Sequence, residues 1–516
     1  EVAGGEVDAD APLMEAGLDS LGAVELRTRL ASKLGDAALP ETLVFDFPTL
    51  RQLEAHLATL VAPTAAESRG ADSMALLAHM LEGGIVSEGG RSAAPRSSSS
   101  AHTISGTSFQ LPGLIRTHER LSQMLAVGLD VVGEVPLSRW DAAKETSVAA
   151  AAGLSPAAQS RMRHGAFIDH ADLFDAGFFG VSPSEAMAID PQQRLCLEHG
   201  YSALHASGRT KARLMGTGAG VYLGYSSQDF SAVIQGTPTA SSVYSATGGS
   251  QSIASGRLSF VLGLQGPCML IDTSCSSGLT ATSVACGALS LDECPLAVVL
   301  AVNVMMAGSV HFSFAIAGML SELGRCHTWD ARADGYARAE NCGGAVLERS
   351  DKKHVHVCIR GTAVRCDGRS ASLTAPNGQA QRKVVAAALS VAGVQGSEVQ
   401  TLQAHGTGTA LGDPIEMGSI ADTVLKHHKG VPSVSSVKAN AGHAEPGAGF
   451  GGLLCLLVAC TSGQAAPNVQ LRRMNTLVSL SLREVRCGVL AQLGRAGEEA
   501  EKAIGGVSSF GYSGTI

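Results

Sequence analysis

Downstream of residue 101, short apolar or β-branched runs alternate with alanine-rich stretches of helical length. The runs lie at residues 220–223, 268–271, 297–302 and 355–359, and residues 381–392 form one of the alanine-rich stretches. Apolar runs this short are typical of strands that are buried on both faces of a sheet. Because such a sheet needs helices on both sides, the alternation predicts an α/β protein built of stacked layers.

The composition excludes several classes of protein. The 516 residues are 45% hydrophobic, which is enough for one large core and one small core. The net charge of −8 and the lack of a basic run argue against nucleic acid as a partner. No apolar stretch reaches the roughly 18 residues needed to cross a bilayer, so we expect no membrane span.

The twelve cysteines contain no CxxC pair. This pattern predicts neither a metal site nor a disulfide scaffold, and it fits an intracellular, cytoplasmic protein. Because the chain does not begin with methionine, targeting to an organelle stays open.

Residues 62–101 are rich in alanine, serine and glycine and include four consecutive serines at 97–100. This composition is typical of a linker. We therefore expect two modules, at residues 1–61 and 102–516.

Cys275 lies in the sequence Asp-Thr-Ser-Cys-Ser-Ser-Gly, between a strand-like run at 267–271 and a helix-like run at 276–289. The N-terminal N–H groups and dipole of that helix would favour the thiolate of Cys275. The small neighbouring residues leave room for an acyl group. Most cysteines are inert packing residues, so this signal alone is modest.

Two histidines follow strand-like segments and lie in glycine-rich turns. These are His405 in Ala-His-Gly-Thr-Gly-Thr and His443 in Asn-Ala-Gly-His-Ala-Glu. Glycine lets a backbone approach a ligand closely, so both turns are suited to a bound group. Either histidine alone would more often be structural. One cysteine and two histidines in three such turns together predict an active site.

From about residue 102 to 516 the chain resembles the β-ketoacyl synthases of polyketide and fatty-acid synthesis, whose active site is a cysteine and two histidines in this order. Other matching segments lie at residues 104–113, 135–141, 190–194, 334–340 and 508–515. The Arg-Trp-Asp segment at 139–141 and the Ser-Gly-Thr segment at 513–515 are most similar to a modular type I polyketide synthase.

The resemblance implies a thiolase-like α-β-α-β-α layered fold and a decarboxylative Claisen condensation. Cys275 would hold the acyl chain, while His405 and His443 would donate hydrogen bonds to the thioester oxygen of a malonyl-type unit. The substrates would be acyl and malonyl thioesters on acyl carrier domains, and the protein would be a homodimer.

Several further residues match supporting positions of that family. The backbone N–H groups of Cys275 and Tyr512 would form an oxyanion hole, and Lys438 and Glu445 would organise the histidines. Thr407 and Thr409 are candidate contacts for pantetheine, although ordinary turn hydroxyls look the same in sequence.

Residues 1–61 resemble part of an all-α acyl carrier protein. A helix is predicted to begin near Ser20, with Ala23, Leu26, Leu30 and Leu34 on one apolar face. The resemblance implies that Ser20 carries covalent 4′-phosphopantetheine, although Ser20 could instead only cap the helix. We expect the first carrier helix to lie upstream of residue 1.

Three positions depart from the family pattern. Asn341 replaces a glycine, and we expect it to be accommodated because asparagine tolerates a positive φ. Gln403 stands where glutamate is common. Ile516 stands where asparagine is usual, so we expect the closing strand of the fold to be missing or altered.

Two alternatives remain open from the sequence. One is a member of the same fold that binds or passes acyl chains without condensing them. The other is an unrelated hydrolase that uses Cys275, His405 and Asn440, although the Cys-Gly-Ser-Cys-Trp context of papain-like enzymes is absent.

Overall fold

The computed structural model describes residues 8–13, 18, 20–34, 39–40, 42–61, 101–226, 229–350, 357–495 and 503–516. The chain separates into two compact units, Glu1–Ser99 and Ser100–Ile516, which are described one at a time. The predicted linker at 62–101 lies outside the described residues except for Ala101. Its boundaries therefore stay a prediction.

The first unit is helical. Its described helices are Ser20–Lys33, Leu43–Asp46 and Leu50–Val61. The helix predicted near Ser20 begins at that residue, and its predicted apolar face is confirmed. Ala23 is buried in a small core with Leu43 and Leu53, and Leu30 packs against this core.

The second unit contains both strands and helices. Its described strands are β1 (His102–Gln110), β2 (Gly133–Glu134), β3 (His164–Gly165), β4 (Gly220–Gly224), β5 (Cys268–Ile271), β6 (Leu296–Asn303), β7 (Asn341–Arg349), β8 (Cys358–Ile359), β9 (Thr401–Gln403), β10 (Ser433–Ser435), β11 (Gln464–Ala465), β12 (Gly494–Arg495) and β13 (Gly505–Val507). Its described α-helices are His118–Val127, Ala142–Ala151, Pro156–Arg161, Ala176–Phe179, Pro183–Ala188, Pro191–Ala206, Lys211–Leu214, Phe230–Ile234, Ser245–Gly248, Gln251–Leu262, Ser277–Ser290, Gly308–Ile316, Gly378–Ala392, Gly412–Ile420, Lys438–Ala441, Ala448–Ser462 and Thr476–Ser481.

Two sheets organise this unit. The larger has the order β5-β4-β6-β7-β1-β8, in which β4 is parallel to β5 and β6 and the remaining pairs are antiparallel. The smaller has the order β10-β9-β13 and is parallel throughout. The runs predicted at 220–223, 268–271 and 297–302 are β4, β5 and β6.

Helices separate and cover the two sheets. The helix Ser277–Ser290 lies on β4 and β6, the helix Ala448–Ser462 lies on β9 and β13, and these two helices contact each other. The helix Pro191–Ala206 packs on β1, β6 and β7, and the helix Gly412–Ile420 shares a core with β9 and β10. This order of layers confirms the predicted α-β-α-β-α fold.

The position of β6 between two helix layers explains why its sequence is apolar without interruption. All eight of its residues are buried. Val298 and Leu300 belong to the core that contains Leu195 of one helix layer, whereas Val299 packs with Ala281 of the other. Since successive side chains point to opposite faces, a strand between two helix layers needs apolar residues at every position.

One described helical segment, Glu445–Ser462, is long and apolar enough to cross a membrane by length and composition. The sequence expectation that no stretch reaches this length is therefore wrong. Within this segment 78% of the residues are buried inside the protein. The apolar character reflects a position between two sheets.

A buried ion pair connects the segment at 135–141 to the strand region before β7. Arg139 donates to both carboxylate oxygens of Glu340, each at 2.8 Å, and Glu340 is fully buried.

Arg139→Met should lower the free energy of unfolding by about 3–5 kcal/mol, because it leaves a buried carboxylate unpaired. Urea denaturation measures this change. As a matched control, Arg163→Met removes an exposed pair with Glu134 and should cost less than about 1 kcal/mol. Equal losses in the two variants would contradict this account.

Candidate active site

Cys275 lies in a tight turn between β5 and the helix Ser277–Ser290. The turn Ser274–Ser276 is a 3₁₀ helix, so the predicted helix start at residue 276 is one residue early. Ser274 has a φ of 58°, a strained conformation for a residue with a side chain. Side-chain hydrogen bonds hold this turn, since Ser277 Oγ accepts from the Thr273 N–H at 2.9 Å. The predicted junction of strand and helix is therefore present.

The structure brings the three predicted catalytic side chains together. The Nε2 atom of His443 lies 3.1 Å from the Sγ atom of Cys275. The ring centroids of His405 and His443 are 5.3 Å apart, with the rings perpendicular. Cys275 and His443 are buried, while His405 is half-buried. A substrate carbonyl held at this point would meet a sulfur and two imidazole rings.

Hydrogen bonds fix both the ring and the backbone of His405. The Phe510 N–H donates to His405 Nδ1 at 3.3 Å, which places the imidazole proton on Nε2. The Glu416 carboxylate accepts from the N–H groups of His405 and Gly406 at 2.6 and 2.7 Å. Sequence reasoning missed this role for Glu416, although the residue follows the histidine turn in the same motif.

Asp413 holds the rest of the same turn. Its carboxylate accepts from the Gly408 N–H at 3.0 Å and from the Trp329 N–H at 2.8 Å. Gly408 has a φ of 79°, and a Cβ atom there would lie 2.5 Å from the backbone nitrogen of His327. Glycine is therefore required here by its positive φ and by the neighbouring backbone, while the expectation that the turn holds a bound group stays a prediction.

The two threonines of this turn contact each other. Their Oγ1 atoms, in Thr407 and Thr409, are 3.3 Å apart, and Thr409 Oγ1 also accepts from the Gly412 N–H at 3.2 Å. The Thr409 hydroxyl thus takes part in the turn itself. Contact of either residue with pantetheine stays a prediction.

His443 is positioned by a strand-like segment and an ion pair. Its N–H donates to the Ala337 carbonyl at 2.7 Å, and its carbonyl accepts from the Ala339 N–H at 2.9 Å. Arg338, between those two alanines, is fully buried and donates to both carboxylate oxygens of Glu445 at 2.5 and 2.9 Å. Glu445 therefore connects to the His443 backbone through Arg338, a residue whose role the sequence did not indicate.

Burial keeps both histidines uncharged. It lowers the pKa of His405 and of His443 well below the usual 6.5, and the positive charge of Lys438 lowers both further. Lys438 is itself buried, and burial lowers its pKa while the Glu416 carboxylate opposes that change. At neutral pH each ring is therefore a neutral hydrogen-bond donor or proton acceptor.

The expectation that Cys275 is a thiolate is wrong for the free protein. Burial raises the pKa of its thiol to about 11, against the lowering effects of the Ser274 hydroxyl, the Lys438 charge and the Tyr512 backbone N–H. Desolvation of the sulfur is the largest of these effects. The thiol is therefore protonated at neutral pH, and its proton must pass to an acceptor. His443 Nε2 is within hydrogen-bond distance.

Two departures from the family pattern are accommodated by side-chain hydrogen bonds. Asn341 is extended as the first residue of β7, so the expected positive φ is wrong; its Nδ2 donates to the Gly447 carbonyl at 2.9 Å. Gln403 Nε2 donates to Ser435 Oγ at 2.6 Å. Each polar side chain thus has a neighbouring partner.

The geometry does not support a hydrolase with Asn440 as its third residue. The side-chain amide of Asn440 donates to the Leu129 carbonyl at 3.0 Å. It is therefore engaged in holding a loop next to the helix His118–Val127.

Comparisons with known proteins agree with this arrangement. Two family models match the second unit: "Beta-ketoacyl synthase, N-terminal domain" at residues 103–353 and "Beta-ketoacyl synthase, C-terminal domain" at residues 356–472. A third, "Phosphopantetheine attachment site", matches residues 1–57.

Similar curated proteins include the pikromycin polyketide synthase component PikAII of Streptomyces venezuelae, 36% identical over 99% of this chain and 13% of that protein. The erythronolide synthase EryA2 of Saccharopolyspora erythraea is 35% identical over 99% of this chain and 14% of its own length. The chain thus spans about one seventh of these relatives.

Solved structures with the same fold include the ketosynthase from module 6 of the bacillaene synthase of Bacillus subtilis 168. It has a TM-score of 0.71 at 29% identity and covers 80% of this chain and 70% of that one. The oxazolomycin ketosynthase domain OzmH KS7 of Streptomyces albus JA3453 has a TM-score of 0.72 at 30% identity, over 81% and 73% of the two chains.

The raised pKa of Cys275 predicts how its alkylation depends on pH. Because only the thiolate reacts, the rate of iodoacetamide addition at Cys275 should rise about tenfold per pH unit from pH 8 to 10 without a plateau. Peptide-resolved mass spectrometry measures this rate. The urea-unfolded chain is the control. In it, the alkylation rate of the same cysteine should level off once the pH exceeds the ordinary thiol pKa of about 8.5. A plateau below pH 8 in the folded protein would mean that Cys275 is a thiolate after all.

Proposed function

Because this chain belongs to the β-ketoacyl synthase family and carries a phosphopantetheine attachment domain before its synthase domain, we propose that it catalyses decarboxylative Claisen condensation in polyketide biosynthesis. An acyl chain on Cys275 would be joined to a malonyl-type unit on an acyl carrier protein. The observation that carries the proposal is the contact of Cys275 Sγ with His443 Nε2 at 3.1 Å, beside the ring of His405.

The first step transfers the acyl chain to Cys275. The thiol proton moves to His443 Nε2, and the sulfur attacks the thioester carbonyl of the incoming acyl carrier. The Tyr512 N–H, which lowers the pKa of the thiol in the free protein, would donate to the developing oxyanion. The carbonyl re-forms as the pantetheine thiolate leaves, and that thiolate takes the proton back from His443. One thioester is exchanged for another, so little free energy is needed.

The second step forms the new carbon–carbon bond. The malonyl-type unit loses carbon dioxide, and negative charge develops on its thioester oxygen. The neutral Nε2–H of His405 would stabilise this enolate, in a buried setting where such hydrogen bonds are strong. His443 would become a second donor once its ring proton, held on Nδ1 during loading, has moved to Nε2. The carbanion then attacks the acyl carbonyl on Cys275, the carbon–sulfur bond breaks, and the cysteine thiolate that leaves takes up a proton from solvent.

We expect His405 to be more important for decarboxylation than for acyl loading of Cys275, because its Nε2–H stabilises the charge that develops in the second step only. His405→Ala should slow carbon dioxide release from a malonyl carrier by about 10² or more, with a smaller effect on acyl transfer to Cys275. Single-turnover assays of both steps measure this division. His443→Ala should slow both steps, since His443 also contacts the thiol.

The exposed His427 provides a matched control, and His427→Ala should leave both rates unchanged. Equal losses of loading and decarboxylation in His405→Ala would overturn this division of roles. A wild-type protein that loads acyl groups but never releases carbon dioxide would instead be a non-elongating member of the fold.

We also propose Ser20 as the attachment point for phosphopantetheine. The residue begins the helix Ser20–Lys33, whose apolar face is packed in the small core of the first unit. A phosphopantetheinyl transferase supplied with coenzyme A should add one phosphopantetheine to the chain and none to Ser20→Ala. Ser32→Ala, on the same helix, should be modified as the wild type is. Intact-mass measurement decides, and modification of Ser20→Ala would refute the assignment.

A homodimer through the edge of the larger sheet is a further part of this proposal. The strand β5 is one of the two edge strands of that sheet, and Met269 on it is 42% exposed. Phe260, on the neighbouring helix Gln251–Leu262, is 86% exposed. An exposed apolar edge strand is a ready site for pairing with a second copy.

The double variant Met269→Glu/Phe260→Glu should convert a dimer at micromolar concentration into a monomer, because it places charges on this edge. Sedimentation velocity measures the state. Val391→Glu, at an exposed site on another helix, is the control and should stay dimeric. A monomeric wild-type protein would refute the dimer.

We propose an intracellular, cytoplasmic location as well. All twelve cysteines lie within the described residues, and each is an unpaired thiol. Unpaired thiols suit a reducing compartment. Recovery of this protein from an extracellular fraction would contradict this location.

A further inference from the structure

The side chain of Ser274 lies against the candidate nucleophile. Its Oγ atom is 3.5 Å from the Sγ atom of Cys275, which is within hydrogen-bond distance for a sulfur atom. Ser274 is half-buried, whereas Cys275 is buried. The sulfur thus has two polar neighbours, this hydroxyl and the His443 ring, whose Nε2 atom is 3.1 Å away.

The direction of the hydrogen bond between Ser274 and Cys275 follows from the protons at the sulfur. The Cys275 thiol carries one proton at neutral pH, because burial raises its pKa. His443 Nε2 is placed to accept that proton, since a neutral ring with its proton on Nδ1 has an acceptor at Nε2. The Ser274 hydroxyl is therefore the donor, and the sulfur accepts. This donor stays in place after the thiol proton has moved to His443.

The backbone of Ser274 is strained and is held from both sides. Its φ of 58° lies in the left-handed region, which glycine adopts at least cost. The Asp272 carboxylate accepts from the Ser274 N–H at 3.0 Å, and the Ser277 hydroxyl donates to the Ser274 carbonyl at 2.6 Å. A turn that needed only this backbone shape would favour glycine. A serine at a strained position beside a reacting atom indicates that its side chain is used.

The same hydroxyl is the main local group that favours the thiolate. Burial is the largest influence on the Cys275 thiol and raises its pKa to about 11. Among the groups that lower this pKa, the Ser274 hydroxyl has a larger effect than the Lys438 charge or the Tyr512 N–H. The hydroxyl thus compensates most for the water that burial removes from the sulfur.

We propose that Ser274 is a further catalytic residue, which donates a hydrogen bond to the Cys275 sulfur whenever that atom carries negative charge. This role rests on the proposed condensation and applies at two points in it. During loading, the hydroxyl stabilises the sulfur as the thiol proton moves to His443. During condensation, the carbon–sulfur bond breaks, its electron pair goes to the sulfur, and the hydroxyl stabilises the thiolate that leaves. Ser274 keeps its own proton in both steps.

Decarboxylation distinguishes this role from a general effect on the site. In that step the negative charge develops on the thioester oxygen of the malonyl-type unit and not on the sulfur. Loss of the hydroxyl should therefore slow loading and condensation and leave decarboxylation unchanged. A hydrogen bond stabilises a charged atom about ten- to a hundredfold, and the sulfur keeps roughly half of its charge in the transition state. The expected loss of rate is therefore about three- to tenfold.

The test uses two variants that remove the same hydroxyl but differ in their effect on the backbone. Ser274→Ala keeps a Cβ atom at positive φ, whereas Ser274→Gly relieves that strain. Both should slow iodoacetamide alkylation of Cys275 at about pH 8 by about three- to tenfold, measured by peptide-resolved mass spectrometry. Ser283→Ala is the matched control and should react as the wild type does. Its hydroxyl lies on the helix Ser277–Ser290 but contacts Thr362 at 2.9 Å.

Single-turnover assays supply the second readout. Both Ser274 variants should slow acyl transfer to Cys275 about three- to tenfold and release carbon dioxide from a malonyl carrier at the wild-type rate. Because alkylation requires neither carrier nor acyl group, its result does not depend on whether the wild-type protein condenses. A wild-type alkylation rate in Ser274→Gly would overturn the proposal, since the backbone and not the hydroxyl would then matter. Equal losses of loading and decarboxylation in either variant would overturn it as well.

Discussion

The contact between the Cys275 sulfur and the His443 ring, made inside the protein and away from water, determines how this site works. Burial raises the pKa of the thiol and lowers the pKa of both histidines, so the three groups are uncharged at rest. An uncharged site can hold an acyl chain next to the nucleophile without desolvating an ion. Charge develops only when substrate arrives, at the atoms that the hydrogen-bond donors face.

Buried carboxylates make this arrangement rigid. Burial raises the pKa of Glu416 to about 7 and of Asp413 to about 6, yet each carboxylate accepts backbone N–H groups from the turn that carries His405. The buried Arg338–Glu445 pair supports the strand-like segment that holds His443. Charged groups are costly to bury, and here each is matched by hydrogen bonds that fix a backbone. The backbones then fix the rings.

The sequence alone predicted the layers and the three-residue cluster but not the groups that support them. β6 was predictable because a strand covered on both faces must be apolar throughout. Cys275, His405 and His443 were predictable because each lies in a distinctive turn. Glu416 and Arg338 were not, since their partners are distant or backbone atoms, and sequence spacing does not reveal such contacts. The charge state of Cys275 was predicted wrongly, because burial depends on the whole fold.

The identity of the product formed on the carrier tests the central claim most directly. Purified protein loaded with an acyl group on Cys275 and then mixed with a malonyl carrier should give, by mass spectrometry of the carrier, a β-ketoacyl thioester. That product contains the whole acyl group and the malonyl unit minus carbon dioxide. The Cys275→Ala protein should form none. Release of the free acid with no new carrier-bound product, or the same product from Cys275→Ala, would contradict the account.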